Sequence, residues 1–190
     1  YTIKSLCNMF EIYDLKIIDI ELNDINGGSF ALSVVHKDCD AFEINNKRIS
    51  FFIDKEKELE LKNFEIFHKF SENTQNHRIK LIQLLNKLNN DGKKVFGYGA
   101  STKGNVLLQY CGISNSQIPF ISEINEDKYN VYTPGTNIPI VNINSGLKLK
   151  PNIIVILAWN FKNEIIQLCR SKGFNGKFIL PLPNKPKVIS

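Results

Sequence analysis

An α/β fold, Rossmann-like, with a mostly parallel sheet flanked by helices, is what the second half of the sequence predicts. Three observations predict it. Short apolar runs alternate with helix-period segments across residues 93–183. A glycine-rich turn at Gly97-Tyr98-Gly99 separates the first such run from a helix start. Residues 153–158 are continuously apolar, as strands covered on both faces are.

The elements follow in order. Residues 1–36 read as helix, strand, turn, strand. Leu6, Met9 or Phe10, and Tyr13 share one helix face. Residues 15–22 alternate as a strand, Asn26-Gly27-Gly28-Ser29 signals a turn, and residues 30–35 return as an antiparallel partner. This pair has no evident core of its own and reads as the trailing edge of a larger sheet. Residues 37–53 read as a polar, irregular link. Two helices are then expected, one with Leu61, Phe64, Phe67 and Phe70 at helical spacing, the other with Leu81, Leu84 or Leu85, and Leu88. Glu56, Lys57, Glu58, Lys69, Arg78 and Lys80 on these helices read as solvated surface.

Beyond residue 92 the sequence predicts a strand at Val95-Phe96, a helix over 103–110, a strand over 118–121 and the buried strand 153–158. A helix over 162–172 turns Ile165, Ile166, Leu168 and Cys169 inward. A last strand, 178–180, precedes Pro181, Pro183 and Pro186, which are expected to stop regular structure. Three regions follow: 1–40, 41–92 and 93–190.

Composition narrows the function classes. With 43% hydrophobic residues, the 190-residue chain can form a core without metal or disulfide support. Its four cysteines, Cys7, Cys39, Cys111 and Cys169, form no CxxC pair, which argues against a thiolate zinc site and for reduced cysteines in a cytoplasmic protein. No apolar run reaches membrane-spanning length, so no membrane partner is expected. The 24 basic residues are scattered among 19 acidic ones for a net charge of +5, and only Arg48, Arg78 and Arg170 are arginines. A duplex binder would show a clustered basic stripe, so no nucleic-acid partner is expected. The absence of an initiator methionine at Tyr1 suggests a piece of something longer.

The glycine turn carries the most chemistry. In Gly97-Tyr98-Gly99-Ala100-Ser101-Thr102-Lys103-Gly104-Asn105, backbone N–H groups at the helix start can face an anion, where the helix dipole is positive. Ser101 or Thr102 can cap the helix or donate to a phosphate oxygen. Lys103 adds a mobile charge, and Asn105 can fix the loop. This is not a P-loop, because Asn105-Val106 stands where lysine and a hydroxyl residue are required. Nor is it the usual dinucleotide fingerprint: Thr102 takes the third glycine position, although Glu123 can imitate the ribose-binding acid. A dinucleotide such as NAD therefore stays open as an alternative ligand, and so does an ordinary turn with an ordinary cap.

Four further groups have alternative readings. Tyr129 and Tyr132, in a turn-rich segment, can stack on a base or sugar, or simply pack their loop. Trp159-Asn160-Phe161 follows the buried strand, and Asn160 can cap the next helix. His36, His68 and His77 are far apart, and His68 and His77 read as solvated. Glu123 and Glu164 have no pairing partner for acid–base work.

Four strings, in this order, resemble one family. They are Gly97 to Asn105, then Tyr132-Thr133-Pro134-Gly135-Thr136-Asn137-Ile138-Pro139-Ile140, then Leu157-Ala158-Trp159-Asn160-Phe161 with Glu164-Ile165, and last Phe178-Ile179-Leu180-Pro181-Leu182-Pro183. The chain resembles the C-terminal part of S-adenosylmethionine (SAM)-dependent C-methyltransferases that act on nucleotide-linked deoxy-keto-sugars, often thymidine-diphosphate sugars. The resemblance implies a whole enzyme with a zinc-binding domain, a methyltransferase domain and a Rossmann-like C-terminal domain that helps hold the nucleotide-sugar. Residues 1–40 would then be the terminal helix and strands of the methyltransferase domain, 41–92 a linker and helical lead-in, and 93–190 the nucleotide-sugar-binding domain.

SAM and zinc are implied for the whole enzyme and none on this chain, which alone is expected to be inactive, with no catalytic residue. The implied substrate contacts are Gly99, Ala100, Ser101, Thr102, Lys103, Gly104 and Asn105 on the diphosphate side, with Lys128, Tyr132 and Thr133 at the second loop. The implied partners are the nucleotide-sugar and the missing N-terminal domains. Asn137, Glu123 and Phe30 depart from the family's commoner histidine, aspartate and leucine, and so touch on which sugar or nucleotide is held.

Overall fold

The first helix, α1 (Ile3–Glu11), starts at a reciprocal cap. The Thr2 hydroxyl accepts from the Ser5 N–H at 3.0 Å, and the Ser5 hydroxyl accepts from the Thr2 N–H at 3.1 Å. Glu56 completes this end: its carboxylate accepts from the N–H of Ile3 and from that of Lys4 at 3.0 Å. Glu56 is thus a structural acid at a helix N-terminus, where negative charge is favoured, rather than solvated surface.

The computed structural model describes all 190 residues, which fall into two units, Tyr1–Ser71 and Glu72–Ser190. In the first unit β1 (Leu15–Asn23) and β2 (Ser29–His36) pair antiparallel, from Leu15 opposite His36 to Asn23 opposite Ser29, with a register irregularity between Ile17 and Asp19. The helix–strand–strand expectation holds here. Ile3, Leu6, Ile17 and Ile20 form a small core, against which Ile49, Phe52 and Ile53 of α2 (Asn46–Glu58) pack. This helix begins inside the stretch expected to be irregular. Asn45 starts it by accepting from the Arg48 N–H at 3.1 Å, and the i, i+3, i+4 spacing of its three apolar residues suits a helix face.

One helix, α3 (Phe64–Asn90), stands where two were expected. No glycine or proline interrupts residues 64–90, so nothing breaks the ladder. The division between the units falls within it. Phe64, Phe67 and Phe70, which recur at helical spacing, are all exposed, whereas Leu81 and Leu85 are fully buried.

The second unit holds the sheet: β3 (Val95–Tyr98), α4 (Thr102–Cys111), β4 (Ile121–Glu123), β5 (Ile140–Asn142), α5 (Ile143–Lys148), β6 (Ile153–Ile156), α6 (Lys162–Ser171), β7 (Lys177–Leu180) and β8 (Lys187–Ile189). The strand order is β5-β4-β3-β6-β7-β8, parallel except for β8, which pairs antiparallel with β7. On one face Leu81 and Leu85 of α3 and Leu107, Leu108 and Cys111 of α4 cover Val95, Ile121 and Val155. On the other, Ile143 of α5 with Ile165 and Cys169 of α6 cover Tyr98, Ile154, Ile156 and Phe178. Each fully buried Leu or Ile contributes roughly 1.5–3 kcal/mol.

Three expectations are corrected in this unit. The strand expected over 118–121 begins only at Ile121, because Pro119 has no N–H for a ladder. β5 and α5 were not foreseen: a three-residue strand running directly into a six-residue helix shows no clear period. β8 forms after the prolines, at the sheet edge, where proline in the approach is tolerated. No helix is long and apolar enough to cross a membrane.

Candidate functional site

The order of the sheet reverses at β3, which has β4 on one side and β6 on the other. In open α/β sheets ligands settle beyond the carboxyl ends of the strands at such a point. The turn Gly99-Ala100-Ser101 sits there. Gly99 has φ +86°, and a Cβ on it would lie 2.9 Å from Ala158 Cβ, so only glycine lets this turn pass the end of β6. Gly104, on the first turn of α4, would meet Leu157 Cβ at 2.9 Å, so it lets the helix sit close on the sheet.

Ser101 is the cap of α4: its hydroxyl accepts from the Gly104 N–H at 3.0 Å. Of the backbone N–H groups from Gly99 to Asn105, at least five already donate inside the fold. Gly99 donates to Ser122 O, Ser101 to Gly99 O and Asn105 to Ser101 O, at 2.8–2.9 Å, besides Gly104 to Ser101 and Ala100 to Glu123. The turn is therefore a narrower donor set than the sequence suggested, and Thr102 and Lys103 are the exposed residues at the helix mouth.

Glu123 explains much of this. Its side chain is buried at the end of β4, and Oε2 accepts from the Ala100 N–H at 2.9 Å. Oε1 accepts from the N–H groups of Ile124 and Asn125 at 2.8 and 3.2 Å. Lys128 Nζ lies 3.9 Å from Oε2 and donates to the Ala100 carbonyl at 3.0 Å. The acid that could serve a ribose in the dinucleotide alternative is clasped to the glycine turn, and Lys128 is held in the same clasp.

Two residues that flank the turn in sequence have a buried polar atom without a partner: Tyr98 Oη, whose ring packs in the layer under α5 and α6, and Asn105 Oδ1. Burial raises the Tyr98 pKa, with smaller contributions from Cys169, Glu123 and Tyr129, so the phenol stays neutral. The side-chain oxygen of Asn105 does not fix the loop as expected. Unpaired buried acceptors of this kind are rare and call for a donor.

The second loop is built on its own contacts. Thr133 is 1% exposed; its hydroxyl lies 2.6 Å from that of Thr136 and accepts from the Ile138 N–H at 2.9 Å. That hydroxyl serves the loop. Gln109 of α4 donates to the Pro134 carbonyl at 2.9 Å, so α4 anchors the loop as well. Tyr132 is 66% exposed and presents its ring to solvent. Tyr129 is tied back, donating to the Ile124 carbonyl at 3.1 Å. Asn160 is not the cap of α6; Phe161 stands at that position and makes no side-chain cap.

The structure thus gathers Gly99 to Asn105, Glu123 and Lys128 into one cluster, with Thr133 and Tyr132 on a loop docked to α4. The role of Glu123 as a clasp escaped the sequence reading, since nothing in the sequence pairs it with Ala100. Arg78 and His77 are also not plain solvated residues: the Arg78 guanidinium sits 6.0 Å from the Tyr110 ring centroid, and His77 Nε2 is buried without a partner. No group of three or more His, Cys, Asp or Glu converges to hold a metal ion.

Residues 24–183 match the family described as C-methyltransferase C-terminal domain. The C-methyltransferase NovU of Streptomyces niveus is 32% identical over 193 aligned residues, covering 100% of this chain and 45% of that protein. The chain thus spans less than half the length of this relative.

Proposed function

The chain belongs to the family of C-methyltransferase C-terminal domains, and from that premise we propose that it is the substrate-holding portion of a SAM-dependent C-methyltransferase whose acceptor is a nucleotide-linked deoxy-keto-sugar, with thymidine diphosphate as the carrier. The observation that carries this reading is the glycine turn at the point where the strand order reverses, with Asn105 Oδ1 buried without a partner on the first turn of the helix that follows it. A nucleotide-sugar is rich in hydroxyl donors and carries a diphosphate, so it suits both an orphaned acceptor and a helix mouth.

In this reading the chain binds and orients. The first turn of α4, capped by Ser101 and carrying Thr102 and Lys103, faces the diphosphate. Tyr132 stacks on a base or sugar. Gly99, Ala100, Gly104 and Thr133 shape the turn and loop rather than touch the ligand through side chains, and Lys128 acts within the clasp. In the whole enzyme SAM supplies an electrophilic methyl group. Holding the sugar so that the carbon beside its keto group faces that methyl would contribute through proximity. The chain presents no converging metal ligands and no paired base, so neither a metal nor a proton-transfer step is assigned to it.

The alternative, a module for NAD, is less favoured, because Glu123 is buried and both its oxygens already accept backbone N–H groups. Calorimetric titration with thymidine diphosphate, NAD and SAM tests the reading. We expect thymidine diphosphate alone to bind, and Lys103→Ala and Tyr132→Ala each to weaken it about tenfold, roughly 1.4 kcal/mol. Binding of NAD alone would overturn the reading in favour of a dinucleotide module.

A further inference from the structure

The clasp around Glu123 has a consequence for ligand choice. A pyrophosphate lying along a glycine turn draws on the turn's own amides and on the helix start behind them. Here the Ala100 amide is already given to a carboxylate oxygen at 2.9 Å, and that carboxylate is buried on β4, next to the turn. A phosphate oxygen seeking the same amide would meet a fixed negative charge at close range. Lys128, at 3.9 Å from Oε2 and hydrogen-bonded to the Ala100 carbonyl, offsets part of that charge and closes the clasp. The other Glu123 oxygen accepts from Ile124 and Asn125, so the carboxylate is held from two sides and has little freedom to swing away.

We propose that Glu123 is a specificity-determining residue: as a built-in anion on the Ala100 amide it keeps phosphate off the glycine turn itself, confines it to the mouth of α4, and so refuses a dinucleotide laid along the turn. The inference rests on the reading above only in taking the turn as a ligand face. The exclusion itself follows from charge and geometry. Glu123→Gln removes the charge while keeping the length. Its amide oxygen can still accept from Ile124 and Asn125, and its NH2 group, a donor, cannot accept from Ala100, so the Ala100 N–H is released to a ligand.

Titration of wild type and Glu123→Gln with NAD, inorganic pyrophosphate and thymidine diphosphate tests it. Glu123→Gln is expected to bind NAD and pyrophosphate at least tenfold tighter than wild type, and thymidine diphosphate, which carries the same diphosphate, tighter as well. A purely structural role would weaken all three together. A folded Glu123→Gln, checked by its melting curve, that binds NAD and pyrophosphate no tighter than wild type overturns the proposal. Amide chemical shifts of the wild-type chain provide a second measurement that needs no variant. At saturating pyrophosphate, the Thr102 and Lys103 amides are expected to move and the Ala100 amide to stay. A dominant shift at Ala100 overturns the proposal. If wild type ignores thymidine diphosphate while Glu123→Gln gains NAD, the proposed substrate fails and the exclusion stands.

Discussion

The two units of this chain solve the burial problem differently. Residues 1–71 have a two-stranded antiparallel pair and a core of Ile3, Leu6, Ile17 and Ile20. Residues 72–190 have six strands, five of them parallel, with helices on both faces, and every residue of β3 and β6 is buried. A two-stranded sheet is marginal by itself, whereas a sheet covered on both faces carries its own core. The units differ in charge too. The first has 9 basic and 13 acidic residues, net −4, and the second 15 and 6, net +9. That positive charge is not gathered at the glycine turn. Lys93, Lys94, Lys150, Lys172 and Lys177 lie around the amino ends of β3, β6 and β7, while at the carboxyl ends of β3, β4 and β6 Lys103, Lys128 and Lys162 are offset by Glu123, Glu126, Asp127 and Glu164. Recognition at the turn must therefore come from short-range donors and placed residues rather than from a broad positive field.

Core truncation should break the comparison most visibly. Phe178→Ala, in the fully buried layer under α6, is expected to cost about 3–5 kcal/mol and to lower the main melting transition. Ile20→Ala removes a fully buried side chain from a much smaller core. Hydrogen exchange should then show the amides of β1 and β2 losing protection while those of β3 and β6 keep theirs. Equal loss in both units would show that they unfold as one.

Gly99→Ala comes next in size. The strain of φ +86° and the 2.9 Å approach to Ala158 together should cost about 2 kcal/mol and, by displacing the start of α4, weaken ligand binding at its mouth. Unchanged melting would mean that the turn is more yielding than its contacts imply. Gly92, with a positive φ but nothing near its Cβ position, provides the control: Gly92→Ala should cost less.

The smallest effect concerns pH. Burial lowers the His77 pKa below its ordinary value, so the folded state favours the neutral ring. The unfolded chain then takes up a proton that the folded chain resists. Stability contributed by neutral His77 is present above the ordinary histidine pKa and is lost as pH falls through that value toward the folded one. Melting temperatures at pH 5.5 and 7.5 should differ less in His77→Leu than in wild type. An identical difference in both would remove His77 from the acid response.

Much of the second unit was legible because its signals are local. Strand–helix alternation, a cap at Ser101 or Thr102 and the inward face of α6 all follow from spacing over a few residues, and the structure chooses Ser101. The first unit was legible in outline, but α2 was missed, because its polar start hid the Ile49, Phe52, Ile53 face. Phe64, Phe67 and Phe70 are the opposite case, since a helical period says that a face exists but not that anything covers it.

What the sequence by itself determined is the class of fold, the place of the glycine turn and the family, since turn chemistry and short periods are written in adjacent residues. What only the tertiary structure decided is where the charges go. Glu123 reaches the Ala100 amide because β3 and β4 lie side by side in parallel register, which brings residues 23 apart in sequence into hydrogen-bond contact. The same register puts into a clasp the acid that the dinucleotide alternative would turn toward a ribose. A single chain read in order cannot show this, because the partner of a buried carboxylate is set by strand pairing and not by its neighbours in sequence.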